Sequence, residues 1–290
     1  MNIGFVLFED YFQKRGIGSS RIRGRWVIKY LNGIDGVEAE SFVQGKEYDV
    51  VVFQKAYWRE MAREFKGVKI LDICDPDWLD GADVVSFCRH MDAVTVPTDE
   101  MKSAMERFTD TPVFVVPDGE DFETLPSPKI HEGIAKTVLW YGYSHNMDIL
   151  DGAYDIIKKH GLTLRIVSDG RLNTSECQVE NVQWDEATCD EEYQKADFAI
   201  FPRKKSGRGI YKSDNKTTHA WALGLPVART PDDVARFMNE TERIMDSEIR
   251  YREAKENHDV KKSAELMYEI ICRFQNREKV SRHQTSSDAV

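Results

Sequence analysis

The chain has 290 residues, 41% hydrophobic and 31% charged, room for two medium domains whose cores need no disulfide or metal staple. Asp and Glu outnumber Lys and Arg by 50 to 40, a formal charge of −10, which excludes a protein that coats nucleic acid through bulk charge but not one with a local basic groove. No apolar run reaches the ~18 residues of a membrane span. The start, MNIGFVLFEDYF, meets acids at once and lacks a basic n-region, so it reads as a first strand and not as a signal peptide. Cys74, Cys88, Cys177, Cys189 and Cys272 form no CxxC pair and are odd in number, which argues for reduced thiols in a cytoplasmic protein and against a zinc site or disulfide framework.

Strand and helix signals alternate from the start. Residues 2–8 are a short apolar strand, and residues 20–31 have helix spacing with Ile22, Trp26, Val27 and Tyr30 on one side. Residues 37–43 alternate; 48–53 (YDVVVF) and 68–73 (VKILDI) are continuous runs suited to strands buried on both faces. Helices are predicted at 58–65, 83–89 and 99–108, and strands at 93–96 and 113–116. Residues 117–133 interrupt the pattern with Pro117, Gly119, Pro126, Pro128 and Gly133, as an interdomain linker would. The alternation then restarts: strands at 137–141, 163–167, 182–184, 198–201 and 226–228, helices at 147–160, 190–195, 216–223 and 232–239, and a nearly continuous charged helix over 240–274. The reading is an α/β protein of two Rossmann-like domains facing across a cleft. The predicted boundaries are 1–120, a linker at 121–133, 134–258, a helix at 259–275 and a disordered tail at 276–290.

The most informative stretch is FPRKKSGRGIYKSDNKTTHAWALGLPVA, residues 201–228. A buried strand ends at Phe201, a loop carries Arg203, Lys204, Lys205, Arg208 and Lys212, and Ser213, Asp214 and Asn215 are placed to cap a helix beginning near Lys216. A helix N-terminus with lysines beside it can receive a phosphate. The bland reading is a solvated basic loop before an ordinary helix.

KSDNKTTHAWALGLPVA resembles the signature of GT-B glycosyltransferases, Lys/Arg-x-x-Glu-Ala-x-Ala-x-Gly-x-Pro-Val, with Lys216, Ala220, Ala222, Gly224, Pro226 and Val227 fitting. VVPDGED (115–121) resembles the turn that closes their N-terminal domain, AVTVPT (93–98) the segment before it, and VLWYGYS (138–144) the first strand and loop of their C-terminal domain. The resemblance covers nearly the whole chain in order. It implies a metal-independent enzyme, with no cofactor beyond a nucleoside-diphosphate sugar as co-substrate. Its second domain would hold that donor, its first domain the acceptor, and its last helix would return to the first domain. Many retaining members carry a Glu pair eight positions apart, where this chain has Tyr211 and His219.

Several residues follow as candidates. Gly142, Tyr143 and Ser144, with Asp169, Arg203, Tyr211, Lys212, Ser213, Asn215 and Lys216, are assigned to the donor. His219 is assigned to the chemistry, although it can equally be a core histidine. Gly18, Ser19 and Arg21, in a glycine-containing basic loop with Arg15, Arg23 and Arg25, are assigned to the acceptor, unless they are a solvated helix face. Asp75-Pro76-Asp77 looks like the Asp-x-Asp metal motif of the other glycosyltransferase fold, but it follows an N-domain strand; Asp75 is therefore read as an acceptor base and no metal ligand is assigned. The acceptor is left open among polymers, lipids and modified nucleic-acid bases, and the assembly between monomer and dimer. Two rivals stand beside this reading: a sugar-nucleotide epimerase on the same fold, kept alive by His219 and His145, and a non-catalytic module that binds a nucleotide or nucleic acid.

Overall fold

Runs such as VVVFQ and TVLWY leave no polar face for water, so each must be a strand covered on both sides. The computed structural model, which describes residues 1–14, 16–202 and 207–287, places them at the centres of two parallel sheets. In chain order the strands are β1 (Asn2–Val6), β2 (Glu38–Ser41), β3 (Val50–Gln54), β4 (Val68–Asp72), β5 (Ala93–Val96), β6 (Val113–Val115), β7 (Thr137–Tyr141), β8 (Thr163–Ser168), β9 (Gln178–Gln183), β10 (Phe198–Ile200) and β11 (Val227–Ala228). The chain divides into two units. Unit 1 comprises Met1–Gly119, Ile210–Ser213 and the chain from Val260 onward; unit 2 comprises Glu120–Gly209 and Asp214–Asp259. Among the described residues no helix is long and apolar enough to cross a membrane.

Unit 1 holds six strands in the order β2-β1-β3-β4-β5-β6, all pairs parallel. The two-residue period of a strand sorts its side chains: Val50, Val52 and Ile70 enter one core, and Val51, Phe53 and Leu71 enter the core on the opposite face. The first core is closed by the helix Val260–Ser287, whose buried Val260, Ala264, Met267, Ile271 and Phe274 repeat at helical spacing against Val27 and Leu31. Leu266 of the same helix is 37% exposed and lies off the stripe. The helix runs on through Ser287, through much of the stretch read as a disordered tail, where Arg277, Glu278 and Lys279 are good helix formers. Gly119 lies against the start of this helix: a Cβ there would stand 2.5 Å from Val260 Cα.

The predicted helix over residues 20–31 forms with a changed phase. It begins as Gly18–Ser20, passes through a π turn at Arg21–Arg25 and continues as Trp26–Leu31. The inward stripe is Ser20, Arg23, Gly24, Val27 and Leu31, at ordinary helical spacing, in place of Ile22, Trp26, Val27 and Tyr30. Arg23, read from sequence as part of a basic patch, is 3% exposed. Its guanidinium grips Asp72 twice, at 2.8 and 2.6 Å, and also donates to the Val116 carbonyl and to Asp118. Thr95 donates to the same Asp72 at 2.6 Å.

Unit 2 holds five parallel strands in the order β11-β10-β7-β8-β9 around one core that includes Leu139, Leu164, Phe198 and Phe237. Residues 121–133, read as a linker, are fastened to this unit. Lys129 N–H donates to the Leu223 carbonyl, the His131 ring meets the Gly224 carbonyl at 2.8 Å, and Arg243 donates to the Gly133 carbonyl. The long helix predicted over 240–274 is broken: Glu240–Asn257 ends at His258, and Asp259 pairs strand-fashion with Glu120 before the next helix begins.

Removing the charge of Arg23 leaves Asp72 and Asp118 buried without their counter-ion. Arg23→Leu is expected to lower the unfolding free energy by about 3–5 kcal/mol. Urea titration measures this, and a change below about 1 kcal/mol would contradict the pairing.

Candidate functional site

In parallel sheets, ligands bind beyond the carboxyl ends of the strands, where strand order reverses and adjacent crossovers part. In unit 2 that point lies between β7 and β10, in unit 1 between β1 and β3.

At the end of β7, Gly142 adopts a φ of +150°, and a Cβ at this position would overlap the ammonium of Lys216. Lys216 Nζ also stands 5.0 Å from the Trp140 ring centroid. Glycine is thus required both by the backbone and by the lysine. The helix Asn215–Ala222 that carries Lys216 is anchored by the Tyr141 hydroxyl, which donates to the Lys216 carbonyl at 2.7 Å. Its predicted cap is not made. Asp214 stands at the N-cap without a side-chain cap bond and meets Arg229 instead. The neighbouring turn is stiffened from β8: Asp169 accepts the Ser144 N–H at 2.7 Å, and that bond, with the Ser168 hydroxyl, holds its carboxyl below the usual range. The Ser144 N–H, in a turn assigned from sequence to the donor, is thereby engaged within the protein. Tyr143, 47% exposed, lies nearly parallel to His145.

His219 is buried in the same helix between two carboxylates. Nδ1 faces Glu120 at 2.8 Å and Nε2 faces Asp190 at 2.9 Å. Only an imidazolium donates from both nitrogens. Burial would lower its pKa, but Glu120, reinforced by Asp190, overrides this and raises it to about 10. The other oxygen of Glu120, itself 1% exposed, accepts from Asn215 at 3.2 Å. Tyr141 and Tyr193, stacked 4.1 Å apart, set their edges against the imidazole.

In unit 1 the reversal point is lined by the loop after β1 and the turn after β3. Lys55, at a positive φ of 52°, binds Asp75 at 2.7 Å and stands 3.4 Å from Asp77. Lys212 meets the other oxygen of Asp75 at 3.3 Å. Burial alone would raise the Asp75 pKa, but the two ammonium groups bring it down to about 2. Asp77 goes the other way, raised by its burial, and takes the Tyr57 hydroxyl at 2.8 Å. Ser20 donates to Gln54 at the end of β3, which places Gly18, Ser19 and Arg21 at this edge; Arg21 lies over Trp26.

The predicted residues therefore separate. Gly142, Tyr143, Ser144, Asp169, Asn215, Lys216 and His219 gather in unit 2. Tyr211, Lys212 and Ser213, expected beside them, belong to unit 1: Tyr211 packs edge-on to Trp78, Lys212 binds Asp75 and Ser213 donates to Asp118. Arg203 and Arg15 lie outside the described residues. Sequence reasoning missed Lys55, Asp190 and the role of Glu120. Glu120 lay inside the quoted VVPDGED turn, and nothing local marks the other two.

No protein-family model and no curated protein matches the chain. Solved structures do. The O-GlcNAc transferase of Thermobaculum terrenum aligns over 97% of this chain and 69% of its own, with a TM-score of 0.60 and 10% identity. AviGT4, a glycosyltransferase involved in avilamycin A biosynthesis, aligns over 95% of this chain and 98% of its own, at 0.59 and 12%. A variant of S. aureus TarM, in complex with fondaparinux, alpha-GlcNAc-glycerol and UDP, aligns over 77% of this chain and 55% of its own, at 0.59 and 11%. The chain thus spans about half the length of TarM. At these identities the likeness defines the fold, and that fold is GT-B.

The His219 imidazolium makes a pH prediction. The native state holds its proton up to about pH 10, whereas the unfolded chain releases it near 6.5. This stabilisation is full below pH 6.5 and is lost as pH rises through 10, because the native state then binds the extra proton. The urea midpoint should fall between pH 7 and 10. His219→Gln should be less stable at pH 7 and should lose most of that slope.

Proposed function

We propose that the chain is a glycosyltransferase. Unit 2 takes a nucleoside-diphosphate sugar, unit 1 takes the acceptor, and no metal ion or other cofactor takes part. The observation that carries this reading is the Lys216 ammonium, seated over the glycine at the end of β7 where the strand order reverses. The GT-B fold supports sugar transfer, and the UDP held by the TarM complex supports a nucleotide sugar as donor.

In the transfer, the bond between the anomeric carbon and the diphosphate oxygen breaks while the acceptor oxygen bonds to that carbon and passes its proton to the departing diphosphate. Negative charge grows on the departing diphosphate. Lys216 and the first-turn N–H groups of its helix, which no side chain caps, are suited to stabilise that charge. Asn215, held by Glu120, and the Gly142–Ser144 turn, held by Asp169, would shape the same pocket. Both nitrogens of His219 are engaged, so its role is to fix Glu120 and Asp190, not to carry a proton. The same engagement weighs against the epimerase reading. With a carboxyl pKa of about 2, Asp75 is better suited to accept a hydrogen bond from an acceptor hydroxyl than to remove its proton.

A thermal-shift panel of UDP-, GDP-, ADP- and dTDP-sugars tests the donor, since a ligand of the native state raises its stability. Lys216→Ala should weaken the cognate donor by about 10- to 150-fold, the worth of a charge-assisted contact. Lys216→Arg should recover part of this, and Lys158→Ala, at an exposed helix position, should bind like wild type. A panel in which no nucleotide sugar stabilises the protein would overturn the proposal.

A further inference from the structure

Unit 1 carries a run of aromatic rings, each touching the next, at the carboxyl ends of β1, β2 and β3. Phe8 meets Phe12 at 4.7 Å, Phe12 meets Tyr11 at 4.9 Å, Tyr11 meets Trp58 at 6.4 Å, Trp58 meets Phe42 at 6.2 Å, and Phe42 meets Tyr48 at 5.3 Å. Tyr11 is 38% exposed and Phe12 48%. Phe42, Tyr48 and Trp58 lean on the core of this face, but core packing does not explain the exposed Tyr11 and Phe12 that continue the run at the ligand-binding edge of a parallel sheet. One end of the run joins the polar cluster, because the Lys55 ammonium sits 5.1 Å from the Phe8 ring centroid.

We infer that these rings seat a neutral oligosaccharide acceptor, a reading that rests on the transferase assignment above and adds the acceptor class to it. Two observations select this occupant. The first is charge. Among the described residues, most cations beside the rings have carboxylate partners: Lys55 has Asp75 and Asp77, Lys46 has Glu40, Arg59 has Asp83 and Arg25 has Glu9, while Lys14 is exposed. That matching leaves little positive charge for a polyphosphate backbone, while the exposed Asp10 and the ionised Asp75 are acceptors for hydroxyl donors. The second is shape. Successive rings meet at 46°, 90°, 41°, 87° and 36°, a corrugated surface without the parallel faces that would clamp a planar base. A pyranose presents partly positive C–H groups on its faces and hydroxyls around its rim. It therefore rests on the electron-rich face of a tilted ring while its rim reaches carboxylates. A continuous run of rings has room for more than one sugar.

Calorimetric titration of the full chain with cellohexaose, maltohexaose and chitohexaose, and with a single-stranded DNA 12-mer, tests this. At least one hexasaccharide should bind, and Tyr11→Ala and Trp58→Ala should each weaken it by about tenfold or more through loss of ring contact. Tyr11→Phe and Trp58→Phe, which keep a ring, should retain most of the binding and show that the alanine variants did not fail by misfolding. Trp221→Ala, a ring change in unit 2, should leave saccharide affinity unchanged. Binding of no hexasaccharide, binding indifferent to both alanine variants, or tighter binding of the DNA overturns the inference. Nucleotide-sugar binding is read separately in the same proteins. Its persistence in Tyr11→Ala leaves the transferase reading standing whatever the saccharides do, and its absence in wild type removes that reading without deciding the saccharide result.

Discussion

A parallel sheet cannot be wound in one direction only and still fill both its faces, so its strand order must reverse somewhere. At that place two crossovers leave in opposite directions, and the strand ends between them stay uncovered. Each unit of this chain has one such place. What distinguishes them is what the local sequence puts there. In unit 2 it is a glycine, a lysine and an uncapped helix start; in unit 1 it is a lysine held by two aspartates beside aromatic rings. The same geometric necessity thus yields two edges of different chemistry, one with an ammonium at a helix start and one with paired charges beside aromatic rings.

Two buried cations are matched by carboxylates, whereas a third, Arg243, is met by main-chain carbonyls. Arg23 is matched by Asp72 and Asp118, and His219 by Glu120 and Asp190. These pairs cost desolvation, and replacing them with well-packed apolar groups need not destabilise the protein. What they contribute is direction. Asp72 ties the first helix to the centre of the sheet, and Glu120 ties the start of unit 2 to the helix that carries Lys216. His219 is accompanied by two acids from elsewhere in the chain, so its positive charge is balanced where it stands.

Much of the strand framework was legible, because period and run length are local properties: YDVVVF, VKILDI and TVLWY each became a central strand. Lys216 was legible as well, through a helix start that follows a buried strand and a basic loop. What was hidden depends on contacts distant in sequence. His219 meets carboxylates 99 and 29 positions away, and no spacing rule reveals them. Ile210–Ser213 returns to unit 1 for only four residues, without proline, low complexity or any change of composition. Arg23 looked exposed because arginine is rarely buried, and the carboxylates that permit it lie 49 and 95 positions away.

The helix beginning at Val260 has a consequence for how the chain comes to be folded. Its Val260, Ala264, Met267 and Phe274 complete a core whose other walls are made from the first part of the sequence. During synthesis those walls emerge first and must wait, apolar on one face, until more than half of the remaining chain has followed. Unit 2 is built almost wholly from the stretch between, and its sheet needs nothing from beyond it. Order of synthesis and order of completion are therefore inverted, and the half of the molecule that appears first on the ribosome is the half that stays exposed to chaperones and proteases longest.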